Sequence, residues 1–235
     1  MNDFEYVGPE LELFAEVHNW KSYWSRELRP LITGDVLEVG AGIGANTRYL
    51  DAGGHRRWIR LEPDVKLASQ YAKDPEHTGS ASRYEAVVGT IKSLGRTREF
   101  DTIIYIDVLE HIENDREELE GAAALLRGGG RIIVLAPAHP WLFSPFDAAV
   151  GHFRRYNRSM LRGISPSGLC LERLSYLDSA GLVLSMANLF LLRQSLPTRS
   201  QLRVWDRWVI PISRVLDRCL FHAAGKSIIG VWRKC

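Results

Sequence analysis

Cysteine is scarce in this chain of 235 residues, with only Cys170, Cys219 and Cys235. Their odd number and wide spacing match no metal-ligand pattern and fit reduced thiols in a cytosolic protein, so no metal is expected. Long apolar runs are also lacking. The longest, AGLVLSMANLFLL from Ala180, is broken by Ser and Asn and falls short of the ~20 residues that span a bilayer. The opening residues, MNDFEYVGPELELF, have no basic stretch leading into an apolar one, so a secretion signal is not expected and the expected compartment is the cytoplasm. Nor is there an excess of one charge: 30 Lys and Arg stand against 28 Asp and Glu, a net +2, which gives no footing for a nucleic-acid partner. Repeats, low-complexity tracts and linkers are absent from the sequence. The expectation is a single domain over residues 1–235: a helical cap over 1–30, a sheet core over 31–178, a helical insert over 179–224 and a last strand over 225–235.

What is present is an apolar fraction of 46% and a charged fraction of 25%, enough for a substantial core. Short apolar, β-rich runs at residues 36–39, 58–61, 84–88, 102–106 and 132–136 alternate with segments of helical length or period. That alternation implies an α/β fold: a Rossmann-like, doubly wound, mostly parallel sheet of about seven strands with helices on both faces. Residues 11–28 read as one leading helix that packs across the mouth of the sheet. After Pro137 the rhythm changes to a Pro- and aromatic-rich loop, then GHFRRYNRSML, a strand at LERLSYLD, a helical insert, and KSIIGVW as the last strand.

The stretch VLEVGAGIGANTRYL places Gly40, Gly42 and Gly44 directly after an apolar run. A strand, a glycine turn and a helix in that order let the backbone N–H groups and the helix N-terminus face a ligand lying against the loop. Glu62 ends the second strand, where an acidic side chain accepts hydrogen bonds from both hydroxyls of an adenosine ribose. A tight turn beside a solvated Glu would leave the same pattern. Gly40, Gly42 and Ala45 also satisfy G-x-G-x-x-G/A, so a nicotinamide or flavin dinucleotide fits the loop equally well.

Four motifs in order separate these readings. LEVGAGIG, LEPD, FDTIIYIDVLEHI and LLRGGGRIIVLAP, within residues 20–147, resemble the class I S-adenosylmethionine-dependent methyltransferases. The resemblance implies S-adenosylmethionine as cofactor, Glu38 near its methionine end, and cofactor contacts from Gly40, Ala41, Gly42, Gly44, Glu62, Pro63, Thr90, Ile91, Asp107 and Val108. One departure stands at VVGTIKSL: many relatives carry an acid where Thr90 is, to bind the adenine amino group, which leaves adenine to the backbone and Ile91. Farther on, FSPFDAAVGHFRRYNRSML is similar to a bacterial subfamily with a D-x-x-x-G-H-x-R-R-Y signature, whose members are associated with glycosyltransferase or lipid-carrier pathways. The implied reaction is methyl transfer; the resemblance says little about the acceptor, and the expectation of a small molecule, apolar or lipid-like and bearing an anionic group, comes from the residues described next. An NAD(P)-dependent oxidoreductase and a non-catalytic cofactor-binding subunit are the competing readings.

Methyl transfer from a sulfonium needs an aligned acceptor, a dry site and often a base. His111 and His152, with His139, fall in loops after strands, at the ligand-binding edge of such sheets, and imidazole suits a base near neutral pH. For His111 the alternative is a helix-start residue without chemistry; for His152 it is an ion-paired loop. Asp147, Arg154, Arg155 and Tyr156 form the acceptor candidates around His152, with Trp20 from the leading helix. Paired guanidinium forks suit an anion, although one Arg held by Asp147 and one solvated would look the same. In LRVWDRWVIPISRVLDRCLF, a helical face of Leu202, Trp205, Val209, Ile212, Leu216 and Leu220 is broken near Pro211. It is compatible with core packing, a lid, a homodimer interface, or a helix resting on an anionic membrane.

Overall fold

The computed structural model of the chain describes residues 10–71, 83–95, 99–189 and 198–235. Seven strands form one sheet: β1 (Gly34–Val39), β2 (His55–Glu62), β3 (Tyr84–Val88), β4 (Phe100–Ile106), β5 (Leu126–Pro137), β6 (Leu169–Leu177) and β7 (Ser227–Lys234). Their order is 3-2-1-4-5-7-6. The first five run parallel, and β7 is antiparallel to both β5 and β6. The expected sheet and its helical insert are therefore both present.

Central strands of such a sheet are buried on both faces, which is why they read as continuous apolar runs rather than alternating ones. Alternate residues divide between two cores. Leu37, Ile59, Ile103, Tyr105, Ile132 and Val134 pack on one face; Val36, Trp58, Ile104, Ile133 and Leu135 pack on the other. The chain winds outward from β1 through β2 to β3, then returns to β4 on the other side of β1. The loops leaving β1 and β4 diverge there and open a crevice.

The leading helix is two helices, not one. α1 (Glu10–Ala15) stops short of α2 (Asn19–Leu28). The break is fixed from far away in sequence: Asp206 accepts hydrogen bonds from the backbone N–H groups of His18 (3.1 Å), Asn19 (3.1 Å) and Trp20 (2.8 Å). A carboxylate on these unpaired first-turn amides starts a new helix there. Residues 1–9 of the expected cap lie outside the described residues.

α3 (Thr47–Leu50), α4 (Val65–Tyr71) and α5 (Asp115–Ala124) connect the parallel strands, and α6 (Pro145–Ala149) and α7 (Arg158–Gly163) follow β5. The insert between β6 and β7 holds α8 (Ser179–Ala187), α9 (Arg199–Val204) and α10 (Ile210–Cys219); residues 190–197 of it lie outside the described residues. A wide π-turn at Trp205–Val209 joins α9 to α10. Because such a turn adds a residue to the helical repeat, it rotates the face that follows. Leu202 and Trp205 are buried, but from Asp206 onward the buried positions are Asp206, Ile210, Ser213 and Asp217. Asp217 accepts from the Tyr23 hydroxyl (2.7 Å) and the Asp178 and Ser179 amides (2.7 and 2.9 Å). The apolar face drawn through Ile212, Leu216 and Leu220 is thereby turned outward, and these three are 54%, 40% and 45% exposed.

The cysteines also depart from expectation. Cys170, at the start of β6, and Cys235, just past β7, are joined as a disulfide with Cα atoms 6.2 Å apart. Antiparallel pairing of β6 with β7 brings together residues separated by 65 positions, which no spacing rule could show. Cys219 is exposed and free.

Candidate active site

The β1–β4 crevice holds a cavity of about 210 Å³. Its floor is the loop after β1, where Gly40, Gly42 and Gly44 take φ angles of +63°, +57° and +75°, the left-handed region that favours glycine. At Gly40 a Cβ would also lie 2.6 Å from a Val108 methyl carbon. Both backbone strain and steric conflict therefore require glycine there, and Val108 is the side chain that closes on it.

The loop does not offer its amides to a ligand in the way the sequence suggests. Those of Ala41, Gly42 and Gly44 are committed to Leu61 O, Glu62 Oε2 and Ala41 O, and α3, four residues long, begins only at Thr47. Glu62 is the clasp: Oε2 accepts from Gly42 N (2.8 Å) and Oε1 from Asp64 N (3.0 Å). Its burial raises its pKa. Glu38 is buried beneath the loop and accepts from Thr47 Oγ1 (2.7 Å) and Trp58 Nε1 (2.9 Å). Pro63 follows Glu62 at the end of the strand, partly buried. Thr90 caps the short turn that follows β3, and Ile91 is buried with its methyl aimed at Gly121 of α5 rather than into the cavity.

The opposite wall comes from the segments after β4 and β5. Asp107 has φ +53°. It is reached by solvent from within the cavity yet lies deep in the molecule, and desolvation pushes its carboxyl up to about 6, against the pull of His152, Lys226 and Lys21. Glu110 is fully buried. Apart from a contact with its own backbone amide, neither of its carboxylate oxygens has a hydrogen-bond partner among the described residues. Burial, and then Asp107, hold its pKa well above the carboxylate range. His111 and His152 meet edge to face with ring centroids 4.6 Å apart. Desolvation, and next the neighbouring His152, lower the His111 pKa to about 4, so this ring is neutral.

The GHFRRY segment divides into two parts. Asp147, fully buried, accepts from Ser144 N and Oγ (2.8 and 2.9 Å) and Arg155 Nε (2.8 Å), and it pairs with His152 Nδ1 (2.9 Å). His152 and Arg155 both line the cavity. Arg155 is 8% exposed, and its Nη1 has no hydrogen-bond partner among the described residues. Arg154 points elsewhere, to Asp115 (2.7 Å) and to the carbonyls of Ile112 and Glu113. Tyr156 is wholly buried, its hydroxyl donating to Leu109 O and Asp115 Oδ2. The paired forks expected for an anion thus reduce to one. Adjacent residues of an extended segment face opposite ways, which is why Arg154 and Arg155 cannot share a target. Asp147 does not line the cavity; it holds the two side chains that do.

Trp20 lines the cavity and meets the Trp205 ring at 5.8 Å. Sequence reasoning missed Phe14, Lys21, Glu110, Phe146 and Lys226, which line it as well. Lys21 is lowered to about 8, first by burial and then by Arg48. Only the EH dipeptide inside the quoted DVLEHI motif carried any sign of Glu110.

A second cavity of about 500 Å³ adjoins the first, sharing Phe14, Phe146, Arg155, Trp205 and Lys226 with it. It runs between α8 and α9, past Leu142, Leu184, Leu202 and Val204.

Comparison with known proteins gives a consistent set of similarities. The profile of a family described as a methyltransferase domain matches residues 16–188. The mitochondrial ubiquinone biosynthesis O-methyltransferase of Dictyostelium discoideum is 21% identical over 114 residues, which are 45% of this chain and 36% of that protein. The chain thus matches only about a third of that relative's length. Among solved structures, a Haloferax volcanii protein in complex with a methyltransferase activator is similar with a TM-score of 0.63 at 15% identity, over 97% of this chain and 99% of that one. The N-methyltransferase NodS of Bradyrhizobium japonicum, solved with S-adenosylhomocysteine, is similar with a TM-score of 0.58 at 12% identity, over 98% and 99%.

Proposed function

The chain belongs to the methyltransferase-domain family, the class that uses S-adenosylmethionine, and from that premise we propose that it methylates an apolar, lipid-like small molecule carrying an anionic group. The observation that carries the acceptor assignment is the join between the two cavities. The first, beside the glycine loop, takes the methionine end of the cofactor. The second mixes Leu142, Leu184, Leu202 and Val204 and the rings of Phe14 and Phe146 with polar Ser144, Asn188 and Gln201, and its apolar stretches take an apolar tail. Arg155 and Lys226 stand where the two meet, so an anionic group is drawn to that point. In this reading Glu62 binds the ribose, and Glu38 positions the loop from below through Thr47. His152, oriented by Asp147, removes the acceptor proton as the methyl moves in line from sulfur. Pro63, Thr90 and Ile91 belong to the adenine side. The oxidoreductase and non-catalytic readings have no comparable support.

Calorimetry tests the cofactor. S-adenosylhomocysteine is expected to bind and NAD to give no heat; tight NAD binding with no response to S-adenosylhomocysteine overturns the assignment. In the same titration Glu62→Ala should lose about 1.5–3 kcal/mol of affinity, the range for removing a charged hydrogen-bond partner. Its contact with Gly42 N makes part of that loss an effect on loop shape.

The surface supports a lipid-like acceptor as well. Val204, Trp208, Ile212 and Val215 are each more than half exposed, and Arg203, Arg207, Arg214 and Arg218 are interspersed among them. No helix among the described residues is long and apolar enough to cross a membrane, but this face suits contact with an anionic one. Sedimentation with vesicles should show binding to anionic lipid that weakens in salt and in Trp208→Ser. A concentration-dependent mass, with no vesicle binding, would assign the face to a homodimer instead.

A further inference from the structure

We infer that Glu110, His111 and His152 form a site for one divalent cation, which binds the acceptor's oxygen beside the cofactor. The inference rests on the methyl-transfer reading above and deepens it. Each of the three residues offers one ligand atom, and these atoms all lie within 4.8 Å of one another. Two donors at about 2.1 Å from a shared ion stand about 3–4.2 Å apart as the angle between them opens from 90° to 180°. The one separation resolved between them, His152 Nε2 to Glu110 Oε1, is 3.9 Å. That is too long for a hydrogen bond and suited to two ligands of one ion. The widest pair, within 4.8 Å, exceeds that range by no more than about 0.6 Å.

Three further observations agree. Glu110 is fully buried, lines the cavity, and has no outside partner for either carboxylate oxygen among the described residues. A buried carboxylate without a donor or a cation is costly, and the segment after β4 holds it there nonetheless, with its carbonyl fixed by Phe153 N (2.8 Å). Next, Asp147 accepts from His152 Nδ1, which leaves the Nε2 lone pair directed at Glu110. A carboxylate behind a ligating imidazole is the usual way such a ring is oriented and made more basic. Finally, the Gly151 backbone holds the His111 ring by a hydrogen bond, so both rings are fixed by the same loop. Lys21, Lys226 and Arg155 also face this part of the cavity, and Asp107 adds a second carboxylate.

Two imidazoles and one carboxylate favour a transition-type ion such as Zn²⁺, Mn²⁺ or Co²⁺, and they leave coordination positions open to the cavity. The cation acts as a Lewis acid. An acceptor hydroxyl bound to it releases its proton to water in the cavity and becomes a metal-bound alkoxide or phenoxide. That oxygen attacks the methyl carbon of S-adenosylmethionine, an O–C bond forms as the C–S bond breaks, and the products are the methyl ether and neutral S-adenosylhomocysteine. With the cation bound, His152 serves as its ligand in place of the base role it has in the metal-free reading above, and the acceptor atom is oxygen.

The test uses tag-free protein stripped with chelator and titrated with Co²⁺, followed by visible absorption and by elemental analysis after Zn²⁺ or Mn²⁺ loading. One equivalent per chain with the d–d bands of mixed nitrogen and oxygen ligation is expected. Glu110→Gln and His111→Ala should weaken Co²⁺ at least 100-fold while S-adenosylhomocysteine affinity stays within threefold. Wild-type protein that binds S-adenosylhomocysteine but shows no stoichiometric Co²⁺, Zn²⁺ or Mn²⁺ up to millimolar concentration overturns the site and leaves the methyl-transfer reading intact. Failure to bind S-adenosylhomocysteine overturns that reading instead. Should a variant not fold, the wild-type Co²⁺ spectrum alone decides.

Discussion

Asp147→Ala is expected to cost about 3–5 kcal/mol of stability, the range for removing one partner from a buried charged pair. Arg155 would keep a buried guanidinium with Nε and Nη1 both without a carboxylate, and His152 would lose the partner of its Nδ1. Ser144, which donates from both N and Oγ to Asp147 at the start of α6, would lose its capping acceptor as well. Asp147→Asn retains an acceptor oxygen and should lose less. The hydrogen bonds from His152 and Arg155 bring the Asp147 pKa down to about 2 despite burial. A depressed carboxylate stabilises the fold above its unfolded value near 4 and ceases to do so as the pH falls toward 2. The gap between wild type and Asp147→Ala should therefore be full at neutral pH and close in acid. Urea unfolding at pH 7 and at pH 3 measures it; equal midpoints at pH 7 would mean that Asp147 does not hold the loop.

What could be read from the sequence followed the range of the interactions. Strand positions and the glycine loop are set by neighbours a few residues apart, and residues 36–39, 58–61 and 102–106 all fall inside strands of the sheet. The break before α2 is set by Asp206, nearly two hundred residues away. The rotated face of α10 depends on a π-turn that leaves no local signature, since the heptad-like spacing of Leu202, Trp205, Val209 and Ile212 runs straight through it. Beyond the EH dipeptide, Glu110 carries no local sign of its place in the site. Only the closing of the GHFRRY loop over β4 places it beneath two imidazoles. Arg154 and Arg155 were indistinguishable as letters, and the strand-like backbone between them decides which one reaches the cavity.

His152→Ala should lower methyl transfer at least ~100-fold, the lower end for losing proton-transfer help in the transition state, whether the ring takes the acceptor proton itself or ligates the cation that acidifies it. The ring lines the cavity opposite the glycine loop, between Glu110 and Phe146, so its loss acts where the acceptor meets the sulfonium. In the proposed reading the cofactor is held from the ends of β1, β2 and β3, so S-adenosylhomocysteine affinity should stay near wild type. Arg155→Ala should also spare the cofactor while lowering turnover, whereas Arg154→Ala, which loses its bridge to Asp115, should lower the melting temperature and leave turnover close to unchanged. The measurement pairs thermal melts, with and without S-adenosylhomocysteine, with transfer of a labelled methyl group from S-adenosylmethionine into an organic-soluble extract. If His152→Ala melts like wild type and still methylates at full rate, the ring neither takes the proton nor serves the acceptor. The proton would then leave by way of His111 or directly to water, and the Asp147 pair would be a staple of the loop alone.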